Sequence, residues 1–198
     1  MSRKPSKSYF IVSTAVLSAL AIIFDVTSDA FPLRTPWGMK IDFVGALWVL
    51  AFFLYGLTEA LSVSIITALF ITAFMPTGFI GATMKFIATI PMFLVPALMS
   101  HISRSKAGAK MFNRVPVITV ACISSTLVRL LAATIVNLYW AIPIYLGIPQ
   151  EEVLNALGGL IPLIAFVAGM NVLQGVIDIF VSWLLAFKFK ISEYFGTW

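Results

Sequence analysis

Four ionisable residues interrupt long apolar runs in this chain: Asp25, Lys85, Arg129 and Asp178. Asn137, Asn171 and Gln174 add uncharged polarity in the same kind of setting. Asn171, Gln174 and Asp178 are spaced i, i+3, i+7, which puts them on one stripe of a helix. Gly169 and Gly175 flank that stripe and allow another helix or a ligand to approach closely. The chemistry open to such a set is recognition: hydrogen bonds and paired charges presented to a small polar molecule. Bond-breaking chemistry lacks its parts, because a nucleophile with a base, or a metal cluster, must lie within reach. His101 is the single histidine and sits in a basic loop, and Cys122 is the single cysteine, inside an apolar run. Ser124 and Ser125 have no evident base, and a carboxylate pair of Asp25 with Asp29 has nothing else to support it. No Gly-x-x-x-x-Gly-Lys-Ser/Thr loop is present for ATP phosphates.

The elements that position these groups follow from composition. Of 198 residues, 61% are hydrophobic and 11% charged, against about 25% charged in a soluble domain. Mean hydropathy is +1.03, so lipid is the solvent for most of the chain. A spanning helix needs ~20 mostly apolar residues. The apolar runs predict an all-α integral membrane protein, a single six-helix bundle over residues 1–198. Its helices fall at about 9–25, 43–57, 59–75, 79–100, 115–140 and 159–189. A β-barrel would need alternating segments of ~10 residues, and the runs are longer and continuously apolar. The basic stretch before the first run resembles a signal peptide. No small-residue cleavage site ends the run cleanly, so it is read as a retained helix.

Lys and Arg set the orientation. With the N-terminus inside, nine cations lie on the inner side: Arg3, Lys4, Lys7, Arg104, Lys106, Lys110, Arg114, Lys188 and Lys190. Arg34 and Lys40 lie outside, and Lys85 and Arg129 within helices, which accounts for all 13. The bias of nine to two predicts a multi-pass protein of the cell membrane with both termini cytoplasmic. These cations flank helices and form no single face, so nucleic acid is not an expected partner.

Depth along the helices predicts one contact. Arg129 lies 14 residues from Val115, roughly 21 Å from the inner end at the helical rise. Asp178 lies 12 residues from Lys190, roughly 18 Å from the same side. The two sit on consecutive antiparallel helices and are expected to form a structural ion pair. Asn137, near the outer end of the fifth helix, and Lys85, in the outer third of the fourth, aim at the same half of the bundle. A ligand pocket there is expected, against the plainer reading of hydrogen bonds between helices. The first outer loop, Phe31-Pro32 through Trp37 to Lys40-Ile41-Asp42, is stiffened by two prolines and is expected to act as a lid. Ala15 and Ala19 are small residues four apart on the first helix, a smooth stripe for helix docking.

Taken together these segments resemble the substrate-binding S components of energy-coupling factor (ECF) vitamin transporters, over nearly the whole chain. The Ala15-x-x-x-Ala19 stripe resembles the motif by which S components dock on the transmembrane coupling subunit. Residues 31–42 resemble the family's first loop, and Gly81 through Thr89 its fourth helix. Asn137-Leu138-Tyr139 with Ile142-Pro143-Ile144-Tyr145 resembles the end of its fifth, and Gly169 through Gly175 its sixth. The riboflavin-binding branch is the most similar. There the sixth helix usually reads Asn-x-x-Lys-Gly and the fourth often has Asn before Phe; here Gln174 and Lys85 stand in those places. The resemblance implies a non-enzymatic vitamin-binding subunit with no cofactor, taking riboflavin as its transported ligand. It implies that Asn137, Asn171 and Gln174 contact the ligand's polar edge, with Lys40, Asp42 and Lys85 beside them. It also implies that the S component takes its vitamin at the outer face and rotates in the membrane on docking, its partners being a coupling subunit and two ATPase subunits. Lys85 beside Lys40 leaves open an anionic vitamin as the alternative ligand, and a ligand-free structural subunit is a further one.

Overall fold

The computed structural model describes residues 7–28, 39–104, 107–195 and 198. The described residues are helical throughout, apart from short connections. Helix α1 spans Lys7–Thr27, α2 Val44–Tyr55, α3 Leu57–Phe74, α4 Gly78–Thr89 and α5 Pro91–Ile102. A short 3-10 helix, Gly108–Asn113, leads into α6, Val115–Val136. The short helices α7, Ile142–Leu146, and α8, Gln150–Ala156, precede α9, Leu160–Trp183, and α10, Ile191–Phe195.

Among the described residues, five segments are long and apolar enough to cross a membrane: Lys7–Thr27, Leu57–Phe74, Gly78–Ile102, Val115–Leu146 and Leu160–Lys188. The sixth apolar helix, α2, has only 12 residues. It is apolar on every side, which suits a helix with no outward face. Every residue of α2 but Tyr55 is buried, and α1, α3, α5 and α9 pack around it. Around this centre Trp48, Phe52, Phe53, Phe93 and Phe112 form the larger core. The outer helices turn their large side chains outward, among them Val16, Leu69, Leu127, Leu131 and Phe180. On a membrane protein these face lipid.

The structure departs from the expected boundaries where proline intervenes. The expected fourth helix is two, α4 and α5, joined at Ile90, because Pro91 supplies no N–H to the turn before it. The expected fifth helix does not stop at Trp140. A π-turn over Asn137–Ala141 widens the ladder just ahead of Pro143, and the chain continues as α7 to Leu146. Gly147, at φ +66°, ends it in the left-handed conformation. A second π-turn, Leu184–Lys188, extends α9.

The basic end of the bundle is tied by indole and phenol groups. Trp183 Nε1 donates to the Phe112 carbonyl (3.0 Å), Trp198 Nε1 to the Phe52 carbonyl (2.6 Å), and the Tyr9 ring stacks edge-on against Tyr55. The polar groups singled out in the sequence lie toward the other end.

Candidate functional site

At that other end α1, α3, α4, α6 and α9 surround a cavity with Met39, Lys40 and Asp42 at its side. Its atom-free space, counting open solvent at the mouth, is about 860 Å³. Ile71, Ile80, Met84, Ala88, Ala133 and Tyr145 supply apolar wall. The polar lining is Asp25, Lys40, Asp42, Lys85, Arg129, Asn137, Asn171 and Gln174 with two threonines, Thr77 and Thr89.

Charges in this wall occur as pairs. Arg129 Nη1 donates to Asp178 Oδ2 at 2.8 Å, and Arg129 Nε to Asn171 Oδ1 at 3.0 Å. Both ions of that pair are buried. Gly45 of α2 makes room for the carboxylate: a methyl group there would stand 2.5 Å from it. Lys85 Nζ reaches Asp25 Oδ1 at 2.6 Å and also bonds Asp42 Oδ2. Lys40 Nζ donates to the Asp25 carbonyl at 2.8 Å and lies 3.5 Å from its carboxylate.

Gln174 ties the loop end to α9. Its Nε2 donates to the Asp42 carbonyl (2.7 Å) and to Asp178 Oδ1 (2.7 Å), and its Oε1 accepts the Asp42 N–H (3.0 Å). Asp42 Oδ1 in turn accepts the N–H of Val44, the first residue of α2, at 2.9 Å. Asn171 Nδ2 donates to the Val167 carbonyl (2.8 Å) and approaches Met39 Sδ (3.8 Å). Asn137, which opens the π-turn, donates to the Ala133 carbonyl at 2.8 Å.

The residues singled out in the sequence thus divide. Lys40, Asp42, Lys85, Asn137, Asn171, Gln174 and Arg129 share the cavity wall, and Asp178 supports it from behind through Arg129 and Gln174. Ala15 and Ala19 lie apart, exposed on α1. Of the two flanking glycines, Gly175 does admit a neighbour, Thr126 of α6, whereas Gly169 faces open space. Of the expected lid, residues 31–42, positions 31–38 lie outside the described residues. Asp25, singled out in the sequence as an ionisable residue but not placed in the expected ligand set, also lines the cavity. Its signal was present, a carboxylate at the end of an apolar helix, but nothing in the spacing tied it to Lys85.

Comparison with known proteins agrees with this architecture. The family model described as "ECF transporter, substrate-specific component" matches residues 9–187. The chain therefore belongs to the substrate-specific components of ECF transporters: multi-pass membrane proteins that bind a transported small molecule, are not enzymes, and associate with an ECF module. The solved structure of the S component of a bacterial ECF transporter superposes with a TM-score of 0.71 at 18% identity, covering 96% of this chain and 99% of that one. That likeness establishes the shared fold. No curated protein matches the sequence.

Proposed function

We propose that this chain is a vitamin-binding S component whose ligand, riboflavin, occupies the cavity between α4, α6 and α9. The observation that carries the reading is the cavity itself: apolar walls with convergent polar groups, in a chain of a substrate-binding family. The similarity of the Asn137 and Asn171–Gly175 segments to the riboflavin branch supports riboflavin as the first choice.

The remaining assignments are part of the same proposal. One domain, residues 1–198, crosses the cell membrane with six helices, α2 completing the count inside the bundle. The nine-to-two distribution of cations supports cytoplasmic termini and a cavity at the outer face. Ala15 and Ala19 present a smooth exposed patch on α1, suited to docking on the coupling subunit. Two ATPase subunits of the module supply the hydrolysis.

The test is to purify the chain from cells grown on rich medium, denature it, and identify the released ligand by mass spectrometry and absorbance. Near-stoichiometric riboflavin is the expected result. A different vitamin would overturn the riboflavin assignment. No release, together with no binding of added vitamins, would favour a structural subunit.

A further inference from the structure

We propose that the cavity is built for an uncharged ligand, and that Asp25 enforces this selectivity by neutralising Lys85. The inference rests on the vitamin-binding reading of this cavity and narrows its ligand class. Among the described residues, the charged groups of the wall and its immediate support are Lys40, Lys85 and Arg129 against Asp25, Asp42 and Asp178. Three positive and three negative charges sum to zero. Each cation has a carboxylate within 4 Å. The most exposed of the six, the Lys85 side chain, is 15% accessible, and it holds two carboxylates at once.

An incoming anion would leave water for a cluster that, among the described residues, has no surplus positive charge to receive it. Taking Lys85 as its partner would leave Asp25 with Lys40 alone and strip Asp42 of the one cation within 4 Å of its carboxylate among the described residues. A cation meets the same obstacle with the signs reversed. An uncharged ligand with polar edges leaves every pair intact and buries its apolar area against Met84, Ile80 and Ala88. The lysine at position 85 is thus not an anion receptor, because α1 brings Asp25 to within 2.6 Å of it.

The experiment compares riboflavin with its phosphate ester, FMN, which adds charge to the same ring system. Both are titrated against the detergent-purified chain and against Asp25→Asn and Lys85→Met. The wild type should bind riboflavin at least about tenfold more tightly than FMN, a gap of ~1.4 kcal/mol. Asp25→Asn gives the cluster one net positive charge and should narrow that ratio. Lys85→Met gives it one net negative charge and should widen it. Equal or tighter wild-type binding of FMN would overturn the proposal, as would ratios unmoved in both variants. A parallel panel separates this from the riboflavin reading. Preference for uncharged pyridoxine over either flavin would sink riboflavin and keep the selectivity. Preference for pantothenate, biotin or thiamine, all charged, would sink the selectivity.

Discussion

Gln174 holds Asp42 by both faces of its side-chain amide, accepting the Asp42 N–H at 3.0 Å and donating to its carbonyl at 2.7 Å. One residue of α9 thereby fixes the chain just before α2, where a backbone without helical partners would otherwise be buried unpaired. Its second N–H goes to Asp178, so the amide links the loop end to the Arg129 pair. In this arrangement the Gln174 side-chain amide donates to Asp42 and Asp178 and so positions the wall.

Gln174→Leu should therefore leave the Asp42 N–H and carbonyl unpaired, at about 1–3 kcal/mol for each buried group. Hydrogen exchange at Asp42 is expected to rise, and riboflavin affinity to fall about tenfold or more. Unchanged exchange at Asp42 would contradict the clamp.

Arg129→Leu strands the buried Asp178 carboxylate and should cost about 3–5 kcal/mol. Arg129→Leu combined with Asp178→Leu removes both charges and should cost less than the single change. Unfolding series in detergent measure the three proteins, and additive losses would rule out the coupling.

Gly45→Ala places a methyl group 2.5 Å from the Asp178 carboxylate. Overpacking of this kind typically costs about 1–3 kcal/mol. A lowered thermal midpoint in detergent is expected, whereas Gly169→Ala, facing open space, should leave it nearly unchanged. Equal midpoints for the two variants would show that α2 and α9 are not in close contact at Gly45.

Ala15→Leu with Ala19→Leu should abolish co-purification with the coupling subunit while leaving riboflavin affinity within about twofold, because both alanines are exposed on α1 and neither lines the cavity. Loss of ligand binding with retained complex formation would reverse the assigned roles of α1 and the cavity.

The sequence made some of this legible and hid the rest for definable reasons. Counting along two regular helices put Arg129 and Asp178 at matching depth, since the rise per residue is fixed. The i, i+3, i+7 stripe gathered Asn171, Gln174 and Asp178 by the same regularity. The pairing of Asp25 with Lys85 escaped because it depends on how α1 and α4 rotate toward each other, which spacing within one helix does not record. The bracket of Gln174 on Asp42 joins positions 132 apart through a loop with no periodicity. The π-turn at Asn137 was likewise invisible, because one extra residue in a helical turn leaves the apolar pattern nearly unchanged. Pro91 was visible, but whether a proline bends or divides a helix is decided by its neighbours.

The most direct test of the account asks whether riboflavin covers the cavity wall. In a Cys122→Ala background the chain carries no other cysteine, so Met84→Cys places a single thiol in the wall, where Met84 is half-buried. The rate of maleimide labelling is then followed with and without saturating riboflavin. The account predicts strong protection at position 84 and none at a water-exposed control in the basic connection such as Asn113→Cys. Labelling of Met84→Cys at the same rate with riboflavin present would contradict it.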